Sequence, residues 1–165
     1  MNTPTLGLRL MERLEALALY TDEPGRLTRL YLSPAHKTAA DALSQWMRAA
    51  GMQVRIDPLA TVIGRYEASM PNAPAVLIGS HIDTVRDAGK YDGAFGVLAG
   101  LIVVEELARN GERLPFAIEV LAFGDEEGVR FPSTLSGSRA IAGSFETAAL
   151  SLRDENGVSL ADALA

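Results

Sequence analysis

The chain reads as an α/β domain, a three-layer αβα arrangement around a mostly parallel central sheet. Two observations carry this. Residues 75–79 and 116–123 are apolar runs bounded by turn residues, as expected of strands covered on both faces. Between them, residues 94–110 read as one long apolar helix closed by Asn110 and Gly111. Strand, helix, strand in that order predicts a βαβ crossover with parallel strands.

The remaining elements follow from period and punctuation. Residues 5–20 place Leu6, Leu8, Leu10, Leu14, Leu17 and Leu19 on a broad apolar face, which predicts a helix broken by Asp22-Glu23-Pro24-Gly25. Ser33-Pro34 supplies an N-cap and a proline at the first helical position. The helix it opens is expected to bury Ala39, Leu43, Trp46 and Met47, and Gly51 ends it. Met52, Val54 and Ile56 alternate along one strand, and residues 61–66 form another. Short helical segments are expected at 136–142, 146–150 and 159–164.

Composition bounds the function. A length of 165 residues allows one domain with a core. A net charge of -6 without a Lys/Arg run argues against nucleic-acid binding. With no cysteine, a metal site must use His and carboxylates. Met1-Asn2-Thr3-Pro4 leads into an amphipathic stretch, not an apolar signal segment. The apolar run near Val97 to Val104 is too short to span a bilayer, so a cytoplasmic location without membrane contact is expected.

Three pieces of sequence carry metal-binding side chains at loop positions. They are Gly79-Ser80-His81-Ile82-Asp83-Thr84-Val85, Tyr91-Asp92-Gly93, and Asp125-Glu126-Glu127-Gly128. In open α/β sheets ligands sit beyond the carboxyl ends of the strands. His81 and the Glu126-Glu127 pair both follow such ends, so they are expected on one edge. Residues two apart in an extended chain share a side, which makes His81 the ligand candidate and Asp83 its orienting partner. Asp92 could cap the helix after it or bridge two metal ions. Adjacent Glu126 and Glu127 diverge, so one can bind metal while the other faces a reacting water. Each piece alone has a plainer reading. HxD triplets are common, an Asp before a helix is usually a cap, and acidic pairs such as Glu105-Glu106 usually face solvent. Their conjunction at loop positions favours a site.

These motifs resemble the M20 metallopeptidase/amidohydrolase superfamily. The resemblance is narrower to its amidase branch, the N-carbamoyl-L-amino-acid hydrolases and allantoate amidohydrolases. Tyr91-Asp92-Gly93-Ala94-Phe95-Gly96-Val97, Glu126-Glu127-Gly128-Val129-Arg130-Phe131, Ser136-Gly137-Ser138-Arg139-Ala140-Ile141-Ala142-Gly143, Thr28-Arg29-Leu30-Tyr31 and Ser33-Pro34-Ala35-His36 carry it. The HxD motif is shared with peptidases; Glu-Glu-Gly-Val-Arg-Phe is particular to the amidases.

The resemblance implies a zinc-peptidase-like catalytic domain, of which residues 1–165 are the N-terminal part, without the family's lid and dimerisation domain. It implies that His81 binds one metal ion, Asp92 bridges two, Glu127 binds the other, Glu126 is the general base and Asp83 orients His81. The cofactors implied are two divalent ions, zinc or manganese, with cobalt or nickel possible. The substrate implied is a small ureido molecule whose linear C–N bond is hydrolysed to release ammonia and carbon dioxide. Complete members are homodimers. The alternatives are a dimetal peptidase of the same superfamily and a non-catalytic half-domain. Two further metal-binding histidines are expected outside this chain, which has only His36 and His81. His36 is expected to be structural, and Arg139 to lie on a helix surface. The chain alone is therefore expected to bind metal weakly and turn over little.

Overall fold

The computed structural model describes residues 4–165. Met1 to Thr3, the start of the Met1-Asn2-Thr3-Pro4 stretch, lie outside the described residues. Helix α1 (Leu6–Ala18) opens on Thr5, whose hydroxyl accepts from the Leu8 amide at 3.3 Å. Helix α2 (Pro34–Ala49) opens on Ser33, whose hydroxyl accepts from the His36 amide at 3.2 Å. These side chains satisfy amides that the first helical turn leaves without partners. Helix α2 buries Ala39, Leu43 and Met47; Trp46 is only half-buried and carries the Arg13 guanidinium 4.6 Å above its ring.

Strands β1 (Gln53–Ile56) and β2 (Val62–Tyr66) form an antiparallel hairpin. Asp57 closes its turn by accepting from the Leu59 and Thr61 amides, both at 2.9 Å. Strand β3 (Ala75–His81), helix α3 (Ala94–Arg109) and strand β4 (Ala117–Phe123) make the expected crossover, with β3 and β4 parallel. The sheet order is β1-β2-β4-β3. Helix α4 (Ser136–Ile141), a 3-10 turn (Thr147–Ser151) and helix α5 (Leu160–Leu164) complete the chain.

The α/β class is as the sequence predicts, and the sheet is a single open one. Its parallel character is confined to the β3–β4 pair; β2 runs antiparallel to both of its neighbours. The reason is connection length: a tight turn joins β1 to β2 and can only reverse the chain, whereas α3 returns it in the same direction.

The main core lies on one face of the sheet. There Val62, Tyr66, Ile118, Val120 and Ala122 meet Leu14 and Leu17 of α1, Leu43 and Met47 of α2, and Val97, Leu98, Leu101 and Val104 of α3. All three long helices therefore cover the same face. Burying each of those large aliphatic side chains contributes about 1.5–3 kcal/mol before chain entropy is counted. Gly100 lets α3 approach the sheet, since a Cβ there would sit 3.0 Å from Ile78 and 3.2 Å from Val120. Arg9 and Arg13 of α1 bind Glu105 at 2.6 and 3.0 Å, and Arg9 also binds Glu106 at 2.8 Å, so this acidic pair ties α1 to α3.

Strand β3 departs from its expected place. It is an edge strand in the described residues, with Val76 46% and Leu77 55% exposed. Its apolar run is met on one face by α3, through Ile78, and along one edge by β4. Ile56 is likewise exposed, at the end of the outermost strand.

Candidate metal centre

Parallel pairing puts the ends of β3 and β4 side by side: His81 lies opposite Phe123 in the register. The two loops that follow therefore leave from one edge of the sheet. After His81 the chain stays tightly held, with Ile82, Asp83 and Thr84 each no more than 2% exposed. After Phe123 it turns sharply through Asp125, at φ +59°, and Gly128, at φ +66°. Glu126 and Glu127 stand between these two turns. The loop before α3 brings in Asp92.

One ring nitrogen of His81, one carboxylate oxygen of Asp92 and one of Glu127 all lie within 4.8 Å of one another. His81 Nε2 is 3.9 Å from the Asp92 carboxylate. Asp92 is not the cap of α3. That position is Gly93, and no side chain caps the helix there, so the Asp92 carboxylate is left to face the histidine. Gly93 packs directly under the imidazole, where a Cβ would come within 2.5 Å of the ring; its φ of +64° is also one that side chains disfavour.

The orientation of His81 is set at its other nitrogen. Nδ1 is 2.9 Å from the backbone carbonyl of Asp83. A carbonyl only accepts, so Nδ1 carries the proton and Nε2 presents its lone pair towards Asp92. The Asp83 carboxylate is further away, with Oδ1 at 3.7 Å. Its Oδ2 instead accepts from the Glu127 amide at 3.1 Å, joining the first loop to the third. Thus Asp83 touches both halves of the cluster, by its main chain at His81 and by its side chain at Glu127.

Electrostatics at this edge favour a cation. Burial pushes the Asp83 carboxyl up, against the Glu127 amide and His81, which pull it down. Burial also raises Glu127; His81 opposes this, while Asp92, Asp83 and Glu126 add to it. Asp125, fully buried, is pushed up to about 7 by burial and by the Asp83 and Glu126 charges, although Ser136 donates to it at 2.6 Å. Buried oxygens of Asp83, Asp125 and Glu126 have no partner among the described residues. Carboxylates crowded together with unsatisfied oxygens are what a divalent ion would stabilise. The donor set also fits: imidazole nitrogen and carboxylate oxygen suit zinc, manganese, cobalt and nickel alike. Donors around one such ion stand about 3.4 Å apart at bond lengths near 2.1 Å, close to the 3.9 Å between His81 Nε2 and the Asp92 carboxylate.

All five residues named from the sequence thus lie at one sheet edge: His81, Asp92 and Glu127 converge, Asp83 links them, and Glu126 stands beside Glu127. The sequence assigns no role to Asp125, which stands in the acidic run shortly after a strand, or to Arg29, which lies in Thr28-Arg29-Leu30-Tyr31 without a chemical signal. A cleft of about 680 Å³ opens past Gly128 between Leu32, Arg86, Arg130 and Arg153, and includes none of the five residues. His36 is 1% exposed with its ring edge-on to Tyr31, structural as expected, and Arg139 is on the surface.

The chain is 43% identical over 159 residues to an N-carbamoyl-L-amino acid amidohydrolase of Geobacillus stearothermophilus, covering 96% of this chain and 39% of the relative. It is 42% identical over 154 residues to allantoate deiminase 1 of Glycine max, covering 92% of this chain and 32% of the relative. The crystal structure of a hydantoinase/carbamoylase family amidase from Burkholderia ambifaria superimposes with a TM-score of 0.90 at 36% identity, over 96% of this chain and 39% of that one. The chain belongs to the hydantoinase/carbamoylase amidases. Residues 61–155, more than half of the chain, also match the model of Peptidase family M28, which places this segment in that family too. It is the segment that holds all five candidate residues. The chain spans well under half the length of these amidase relatives, and no helix among the described residues is long and apolar enough to cross a membrane.

Proposed function

We propose that this chain is the N-terminal part of the catalytic domain of a metal-dependent amidohydrolase that cleaves a linear ureido C–N bond, in an N-carbamoyl-L-amino acid or in allantoate. The observation that carries this reading is the convergence of His81, Asp92 and Glu127 within 4.8 Å, with Glu126 alongside, in a family whose relatives bear those names. His81 would hold one divalent ion and Glu127 a second, and Asp92 would be a ligand to both. Such ions, when bound, supply positive charge that polarises the ureido carbonyl and makes a water molecule more acidic. Glu126 then acts as general base. It takes a proton from the attacking water and returns one to the nitrogen of the breaking C–N bond. The carbamate released decomposes to ammonia and carbon dioxide. Asp83 holds the His81 ring through its carbonyl and the Glu127 backbone through its carboxylate. Three residues shared between two ions fall short of the three protein donors per ion usual at catalytic zinc, so each ion needs a further donor that the described residues do not bring here. Complete members are proposed to work as homodimers carrying a lid.

The match of residues 61–155 to a peptidase model favours a second reading, a dimetal peptidase. One panel separates them: zinc- or manganese-loaded protein offered N-carbamoyl amino acids, allantoate and dipeptides, with Glu126→Gln alongside. The amidohydrolase reading predicts slow ammonia release from a ureido substrate, reduced at least a hundredfold in Glu126→Gln. Cleavage of dipeptides alone would favour the peptidase, and a protein that retains no metal would leave neither standing.

A further inference from the structure

Arg29 is the largest fully buried side chain in the described residues, 1% exposed, and it belongs to no ion pair. Its Nε donates to the Ile82 carbonyl at 2.6 Å. One terminal nitrogen donates to the Leu17 and Tyr20 carbonyls, both at 2.9 Å, at the C-terminal end of α1. Its backbone is held as firmly. The Arg29 amide donates to the Thr84 hydroxyl, and the Thr84 amide donates to the Arg29 carbonyl, each at 2.9 Å. Next to this pair, the Asp87 amide donates to the Thr28 hydroxyl at 3.0 Å and the Ala88 amide to the Leu27 carbonyl at 2.8 Å. Residues 27–29 therefore form a strap along the chain that leads from His81 towards Asp92.

The peptide that Arg29 grips is the one between His81 and Asp83. Fixing the Ile82 carbonyl on the guanidinium fixes the plane of the Ile82–Asp83 peptide and with it the Asp83 Cα, and the Thr84 amide on the Arg29 carbonyl holds the next plane, which carries the Asp83 carbonyl. From Asp83 hang the carbonyl that receives the His81 Nδ1 proton and the carboxylate that receives the Glu127 amide. We propose that Arg29 is a positioning residue of the metal centre: by anchoring the Ile82 carbonyl it holds the Asp83 carbonyl against His81 Nδ1 and so directs His81 Nε2 at the metal position. This rests on the reading of His81 as a ligand. A guanidinium suits the task because its rigid fork can hold several carbonyls in fixed directions. Burial lowers the Arg29 pKa to about 10, with Asp83 and Asp22 acting against the fall, so it stays charged at neutral pH.

The test uses the chain's two histidines. Long-range proton–nitrogen NMR at pH 8 reads the ring tautomer of each, and the signal missing in His81→Ala identifies His81. In the wild type, His81 is expected in one form, protonated at Nδ1. In Arg29→Gln and Arg29→Lys it is expected as a mixture of both forms, with cobalt(II) affinity reduced about tenfold. A control, Leu14→Ala, destabilises the core beneath α1 without touching Arg29; its His81 is expected to stay in the single form. The proposal is overturned if His81 is already mixed in the wild type. It is equally overturned if a folded Arg29 variant keeps the single form and wild-type cobalt affinity, if Leu14→Ala releases the ring as fully, or if neither Arg29 variant folds, which would make Arg29 a requirement of folding alone. A wild-type chain that binds no cobalt yet shows the locked ring would sink the metal reading and leave the positioning role in place.

Discussion

A single backbone contact decides what His81 can do. Its Nδ1 is satisfied by a carbonyl, which leaves Nε2 as the free donor, and the ring lies on Gly93 with no room for a methyl group. Gly93→Ala is therefore expected to push the imidazole away. Metal affinity should fall at least tenfold by calorimetric titration, and stability by about 1–3 kcal/mol in urea unfolding, from the clash and the positive φ together. His36 predicts a different effect. Burial, reinforced by the Arg29 and Lys37 charges and opposed by Asp22, pushes its pKa from 6.5 to about 3. Between these values the unfolded chain takes up a proton that the folded chain refuses. The stability this neutral histidine brings is thus full above pH 6.5 and lost as pH falls towards 3, at about 1.4 kcal/mol per unit. Urea unfolding across that range should show the slope in the wild type and a shallower one in His36→Gln; equal slopes would contradict it. The candidate ligands were legible because acids and a histidine after two apolar strands are an unusual arrangement. The Asp83 carbonyl and Arg29 were not, since any residue has a carbonyl and nothing in the sequence says where a peptide plane faces.

At the level of elements, α3 carries both the core and the site. Its buried side holds Val97, Leu98, Leu101 and Val104, and its first turn follows Asp92 and Gly93. Leu101, fully buried, should cost about 2–5 kcal/mol when changed to Ala, and the same change should weaken metal binding only as far as the fold itself loosens. Denaturation and metal titration on one variant separate the two effects. Helix ends were readable because caps and breakers are local: Ser33-Pro34, Gly51 and Asn110 each stand within a residue or two of the observed limits. The status of β3 was not readable. An apolar run reports how much cover a strand suits, but which strand lies beside it is settled by the rest of the sheet, and among the described residues one edge of β3 is free.

For the whole molecule, the crossover does the organising. Because β3 and β4 are parallel, their carboxyl ends coincide, and residues 81 and 127 meet although they are far apart in sequence. That much followed from the strand–helix–strand order. The placing of all three long helices on one face did not, because α1 and α2 are amphipathic in a way that fits either side of a sheet. The family relationship agrees with the motif reading, and the activity proposed for the chain depends on one physical claim, that His81 and Glu127 each bind a divalent ion with Asp92 between them. The direct measurement is anomalous diffraction at the zinc absorption edge from crystals soaked in zinc. The account predicts anomalous peaks at this cluster, one about 2 Å from His81 Nε2 and one about 2 Å from a carboxylate oxygen of Glu127, each within reach of Asp92. A peak elsewhere, or none here under conditions where zinc binds other sites, would contradict it.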